Sequence, residues 1–190
     1  MTTTYTSQND ILIKNLLHYY NHNNLMDKMV NVINGESKIS LRIVDWFTTN
    51  YAKKHYTVYP IKTETETRRF KVYNDYKLKL RSYSKKRFDP FCRWERITIP
   101  YQNDTQIQTT IGQLNFFKWA FENEVISYIE TNYNLIEADM NFRNSSSKRN
   151  KQNMGGNPTI QKTRKKREEL SISASKTIKK EEVEITVSFN

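Results

Sequence analysis

The sequence predicts a single α+β domain, mainly helical, with a small antiparallel sheet and a flexible basic C-terminal arm that ends in a strand. Three observations carry this expectation. Apolar residues recur at helical spacing over several long stretches, and short runs of period-two alternation interrupt them around Tyr56, Phe70 and Ile97. Between residues 143 and 169 apolar residues lose any structural period. The 190 residues have room for one ordinary domain of roughly 100 to 150 residues plus a tail. The expected partition is a globular domain over 7–142, a disordered basic linker over 143–169 and a C-terminal strand or hairpin over 170–190.

Ser7 with Asp10 three residues on has capping spacing, and Ile13, Leu16, Leu17 and Tyr20 then mark one helix face, so a first helix is expected over about 10–22. A second, over about 24–34, aligns Leu25, Met29, Val32 and Ile33 and is followed by Gly35, the residue favoured just past a helix end. A third, over about 38–54, buries Leu41, Val44, Phe47 and Tyr51 and ends on Lys53 and Lys54, where cations suit the helix dipole.

Tyr56 to Tyr59, before Pro60, reads as extended, and 62–67 as an exposed strand or loop. Residues 75–87 fit two readings. One is a helix capped by Asn74 with Tyr76, Leu80 and Tyr83 inward; the other is a strand with Leu78 and Leu80 on one face. Arg96 to Tyr101 alternates as a strand, and a polar loop follows. From Thr110 the spacing is helical to about Met140, with Leu114, Phe117, Phe121, Val125 and Tyr128 on one stripe. The final residues alternate Val183, Ile185, Val187 and Phe189 with polar residues, which predicts a strand that Leu170 and Ile172 join, added to this chain's own sheet or a partner's.

Composition excludes several classes. The N-terminal residues lack the charged and apolar regions of a secretory signal, and no apolar run reaches the roughly 20 residues that span a bilayer, so a soluble intracellular chain without membrane insertion is expected. A lone cysteine, Cys92, forms no internal disulfide, in keeping with a reducing compartment. Four glycines supply no phosphate-binding loop.

The net charge of +11 is unevenly distributed. Residues 1–52 are net neutral, 53–96 carry +9, 97–140 carry −5 and 141–190 carry +7. Segregated charge of this kind presents one sign to a ligand, and a polyanion is the implied partner. The candidate nucleic-acid-binding residues are Arg69, Lys71, Lys77, Lys79, Arg81, Lys85, Lys86, Arg87, Arg93 and Arg96, with Tyr76, Tyr83 and Trp94 interleaved as stacking groups. In a helix Lys77, Arg81 and Lys85 are successive i+4 neighbours; in a strand Lys77, Lys79 and Arg81 share a face. Either way a basic row lies beside aromatics, the combination that neutralises phosphates and stacks bases. Lys162, Arg164, Lys165, Lys166 and Arg167 form an auxiliary basic cluster in the arm, readable as a phosphate tether or an import signal.

Other constellations are weaker. Residues 25–54 permit a helix-turn-helix, but the second helix carries Trp46 and Phe47 mid-length and its lysines at the far end, away from where base-reading side chains belong. His18 and His22 have the i, i+4 spacing of metal ligands without a completing Glu or cysteine pair. Cys92 with His55 is a chance pairing of types, and Asp45, Asp75, Asp89 and Glu95 are gathered by no motif. No cofactor, metal or catalytic activity is expected.

Three stretches add a resemblance. They are SKISLRIVDWF at 37–47, the segment 76–91 with SKKRF at 84–88 inside it, and TIGQLNFFKWA at 110–120. Together they resemble a family of short, functionally uncharacterised proteins of nucleocytoplasmic large DNA viruses, the giant viruses, over roughly residues 37 to 130. The resemblance carries no functional residues, but it implies a nucleic-acid or virion role in place of a metabolic one. The expected function is a viral protein binding DNA or RNA through phosphates. The alternative is a virion structural or assembly protein that meets viral structural or transcription proteins through its C-terminal strand. The implied location is the viral factory in the host cytoplasm or the nucleus, with packaging in the virion as a further option.

Overall fold

The computed structural model describes residues 7–23, 25–63, 66–101, 105–152 and 179–181, of which 146–152 and 179–181 are described by backbone alone. The expected α+β domain is present, dominated by helices with two small antiparallel sheets. Helix α1 spans Gln8–Asn23, and Ser7 and Asp10 cap it reciprocally: the Asp10 N–H donates to Ser7 Oγ at 3.2 Å and Ser7 N–H to Asp10 Oδ2 at 2.9 Å. Helix α2 spans Met26–Asn34 and ends on Gly35 in the left-handed conformation, φ 77°, as its position predicts.

The expected third helix is one continuous run with an irregularity inside it: α3 (Leu41–Trp46), a π-helical turn (Phe47–Tyr51) and α4 (Ala52–Lys54). Ser40 caps it by accepting from Ile43 N–H. Leu41, Val44 and Phe47 are buried, and Tyr51 is half-buried with its ring 5.9 Å from that of Phe47.

Strands β1 (Val58–Lys62) and β2 (Thr67–Lys71) form a hairpin, with Val58 opposite Lys71. The Thr63 N–H and hydroxyl both donate to the Glu66 carbonyl and close the turn. Strand β2 passes without a loop into α5 (Val72–Arg87), which settles the two readings of 75–87 in favour of helix. The strand reading fails because Tyr76, Leu80 and Tyr83 at helical spacing meet the core while Leu78 is 60% exposed.

Strand β3 (Arg96–Pro100) pairs with β4 (Gln106–Thr110), where a polar loop was expected. The strand escapes notice because its buried face carries Thr109 beside Ile107, so half of its inward positions are polar. The single helix expected from Thr110 to Met140 is three: α6 (Ile111–Glu122), α7 (Val125–Thr131) and the start of α8 (Tyr133–Gln152). Glu124 takes a left-handed backbone, φ 53°, which ends α6 while leaving the apolar stripe nearly in phase.

Helix α6 is the centre of the fold. Nine of its twelve residues are buried, Gln113 and Asn115 among them, and α1, α5, α7 and β4 all pack on it. Tyr20 of α1 donates to the Leu114 carbonyl at 2.7 Å. Asn123, buried at its end, accepts from Arg68 and from the Tyr59 hydroxyl, which moors the β1–β2 hairpin. Helix α8 packs against α3 and the π turn.

Helix α8 also runs past the expected boundary at 142 to Gln152, so the first ten residues of the expected linker are helical. Residues 143–152 contain no glycine or proline to interrupt it. Residues 179–181 form a short strand β5, antiparallel to β4 with Ile107 opposite Lys180. The rest of the arm, including the strand expected at 183–190 and its partners Leu170 and Ile172, lies outside the described residues.

Candidate nucleic-acid interface

Helix α5 has two faces, set by the 3.6-residue period of its apolar side chains. Inward, Tyr76 is 8% exposed and meets Phe88, Phe116 and Trp119 at ring centroid distances of 6.0, 6.4 and 6.0 Å. Asp75 accepts a 2.6 Å hydrogen bond from Trp119 Nε1, which fixes the rotation of α5 on α6. Outward, the exposed residues are Asn74, Lys77, Leu78, Arg81 and Ser82. At the amino end, Lys53 Nζ stands 5.7 Å from the centre of the Tyr73 ring.

The row does not continue evenly to Lys85. Ser84 has φ 63° and ψ 167°, a break in the helix, so Lys85, Lys86 and Arg87 turn away from the line of Lys77 and Arg81. The expected i+4 alignment of three cations is therefore two aligned cations and a separate cluster.

That cluster sits on a segment pinned to the first turn of α6. Asn115 Nδ2 donates to the Arg87 carbonyl at 2.8 Å, and Gln113 Nε2 to the Pro90 carbonyl at 3.2 Å. The Cys92 thiol contacts the Lys86 carbonyl at 3.4 Å, while Thr110 Oγ1 donates to the Cys92 carbonyl at 3.5 Å. Thr110 also caps α6 by accepting from Gln113 N–H. Buried polar side chains thus act together with the fully buried Phe88 to hold this segment in one shape. Trp94, two residues past Cys92, is 70% exposed, and its carbonyl lies 3.9 Å from the Cys92 sulfur that also meets the Lys86 carbonyl.

The remaining expected residues divide. Arg69 and Lys71 are exposed on β2, on the strand face opposite Phe70, and Lys71 immediately precedes α5. Arg93 and Arg96 are exposed; Lys79 and Arg87 are half-buried. Tyr83 is half-buried and stacks on Phe88 at 6.2 Å and 20°. Tyr76 is a correction: its ring belongs to the aromatic core and is closed to a base. Among the described residues, none of Lys77, Lys79, Arg81, Lys85, Lys86 and Arg87 makes an ion pair; the pairs of Lys54 and His55 with Asp139 and of Lys118 with Glu122 lie elsewhere. The arm cluster of Lys162, Arg164, Lys165, Lys166 and Arg167 lies outside the described residues.

One exposed aromatic escaped the sequence reading. Tyr56 is 81% exposed with φ 50°, just before Thr57, whose carbonyl accepts from Val72 N–H at the start of α5. Its signal was local: an aromatic between His55 and Thr57, following two lysines at the end of a helix, has no apolar stripe to join.

The weaker constellations gain little. Trp46 is held by Asp139 and Phe47 is fully buried, so the helix over 41–54 is built to be covered. The His18 and His22 rings, 6.3 Å apart and exposed, share a shallow groove with Lys118, whose charge opposes a cation. Among the described residues no three metal-ligating side chains converge, and no helix is long and apolar enough to cross a membrane. Cys92 is buried against Gly112, while the His55 ring lies 4.3 Å from that of Tyr51, tilted by 33°, with Asp139 3.6 Å from its Nε2.

Comparison with known proteins gives a family but no activity. A family of unknown function, DUF7197, matches residues 2–190. An uncharacterized protein of Acanthamoeba polyphaga mimivirus, L507, is similar at 46% identity over 130 residues, covering 66% of this chain and 50% of its own length. The chain thus spans about half the length of this curated relative. No solved structure matches.

Proposed function

The chain belongs to DUF7197, a family of unknown function with a giant-virus relative, and from that premise we propose that it binds nucleic acid through the phosphate backbone, without catalysis. The carrying observation is the outward face of α5. Tyr76, Leu80 and Tyr83 fix the helix from beneath, and Lys77 and Arg81 stand outward with no carboxylate partner among the described residues. Unneutralised cations on a rigid element attract a polyanion, and each phosphate they meet releases counterions.

Arg69 and Lys71 extend this sign before the helix, and Lys85, Lys86 and Arg87 after it. An acidic protein or an anionic membrane surface offers the same charge. Against an acidic protein, Trp94 favours nucleic acid, because an exposed ring gains from a stacked base and gains nothing comparable from a carboxylate. The arm residues Lys162 and Arg164 to Arg167 add sequence-independent phosphate contacts in this reading. The viral factory or the nucleus is where such a ligand would be met.

The alternative, a virion structural or assembly protein, gains no support from a particular contact. Its key strand lies outside the described residues, and 179–181 pair within this chain. Titration of a labelled oligonucleotide at two salt concentrations tests the reading. Binding that weakens steeply with salt is expected; absence of binding at low salt, or affinity indifferent to salt, would overturn it.

A further inference from the structure

We infer that the nucleic acid this surface takes is single-stranded, with Tyr56 and Trp94 stacking bases at the two ends of α5 and Lys77 and Arg81 contacting phosphates between them. This rests on the nucleic-acid reading above and narrows it to one class of ligand.

The placement follows from backbone contacts. Tyr56 precedes Thr57, whose carbonyl accepts from Val72 N–H at 3.3 Å, so Tyr56 sits by the amino end of α5. The Cys92 sulfur lies 3.4 Å from the Lys86 carbonyl and 3.9 Å from the Trp94 carbonyl, so Trp94 sits by the carboxyl end. The regular part of the helix, Val72 to Tyr83, separates the two ends by about 18 Å. At 81% and 70% exposed they are the two most exposed aromatics beside this helix, and each leaves most of a large apolar ring in water.

The backbone at these points is also unusual. Tyr56, Ser84 and Glu95 have φ of 50°, 63° and 52°, left-handed values that non-glycine residues adopt rarely. All three border this face: one before α5, one within it and one next to Trp94. Such conformations gather where a site over-determines the chain.

A duplex offers phosphates but hides its base faces within its own stack. A single strand offers both, and flat rings flanking a cationic row match that pairing of groups. Phosphate contacts alone would not distinguish the two forms.

The test compares a labelled oligothymidylate of roughly a dozen residues with a duplex of equal length at one salt concentration. The full chain should bind the single strand more tightly. Trp94→Ala should weaken that binding at least about fivefold, Trp94→Phe should restore most of it, and Tyr56→Asn should weaken it by a similar factor; Asn tolerates the left-handed backbone. Duplex affinity should stay within about twofold in all three variants, since it depends on phosphates. Trp94 fluorescence should be quenched by the oligothymidylate, and Trp94→Phe should remove that quenching. Equal affinity for both forms, or losses of the same size on both, would overturn this inference and leave the nucleic-acid reading standing. No binding to either form at low salt overturns both.

Discussion

Gly112 lies directly against Cys92: a Cβ placed on Gly112 would stand 2.8 Å from Cys92 Cβ and 3.0 Å from the Lys86 carbonyl oxygen. The first is nearer than carbon atoms approach without displacement, and the second is a carbonyl that the Cys92 thiol already contacts and whose neighbour, the Arg87 carbonyl, Asn115 holds. The glycine is required here for close approach, because its φ is not in the left-handed region.

Gly112→Ala should therefore push the 86–94 loop off α6. The expected cost is about 1 to 3 kcal/mol, the usual range for overpacking, read as a lowered urea midpoint. Oligonucleotide affinity should fall with it, because Lys86 and Trp94 ride on the displaced loop. An unchanged midpoint would mean that the loop gives way freely and is not a built platform.

How much of this was legible in the sequence depends on whether a feature has a period. The capping of α1 by Ser7 and Asp10, the end of α2 at Gly35 and the stripe of Leu41, Val44 and Phe47 were readable because each rests on local spacing. Strand β4 was not, since burying Thr109 beside Ile107 erases apolar alternation. The division of α6 from α7 was hidden because the turn at Glu124 is made by an ordinary residue in a left-handed conformation. At the candidate site the basic residues were visible and their grouping was not: helical spacing put Tyr76 inward while the strand reading left it open as a stacking group, and nothing local marks the break at Ser84.

The bond from Trp119 Nε1 to Asp75 should set how firmly α5 is seated. Trp119 is 2% exposed, and Trp119→Phe keeps an aromatic in the Phe88 and Phe116 cluster while removing the donor. A half-buried carboxylate left without it should cost about 1 to 3 kcal/mol. Urea denaturation of the single variants and of Trp119→Phe with Asp75→Ala checks the origin. If the bond matters, the double variant loses less than the sum of the two single losses.

Lys77 and Arg81 should act as independent phosphate contacts. Each change to Gln should lower the slope of log affinity against log salt by roughly 0.7 to 0.9. Both side chains are exposed, so stability should move by no more than about 0.5 kcal/mol. Lys14→Gln, at an exposed lysine of α1, should leave the slope unchanged. Equal slopes in all three variants would remove α5 from the interface.

Asp139 should make stability depend on acid. Its side chain is 9% exposed, and burial alone would raise its pKa; hydrogen bonds from Lys54 and Trp46, the Lys54 charge and His55 at 3.6 Å outweigh that and hold it below its ordinary 3.8. A carboxyl whose folded pKa is depressed contributes stability in full above its unfolded value, and loses it as pH falls through the folded one. Lys54 is 47% exposed, so screening reduces the contribution to about 1 kcal/mol. Asp139→Asn should accordingly lower the urea midpoint at pH 7 by about 0.5 M. The gap should narrow as pH drops below 3.8 and close once the native carboxyl is protonated, because both proteins then carry a neutral group there. A gap that is the same at neutral and acid pH would mean that Asp139 joins α8 to α3 and α4 by shape alone, and that the charge of Lys54 contributes nothing to the joint.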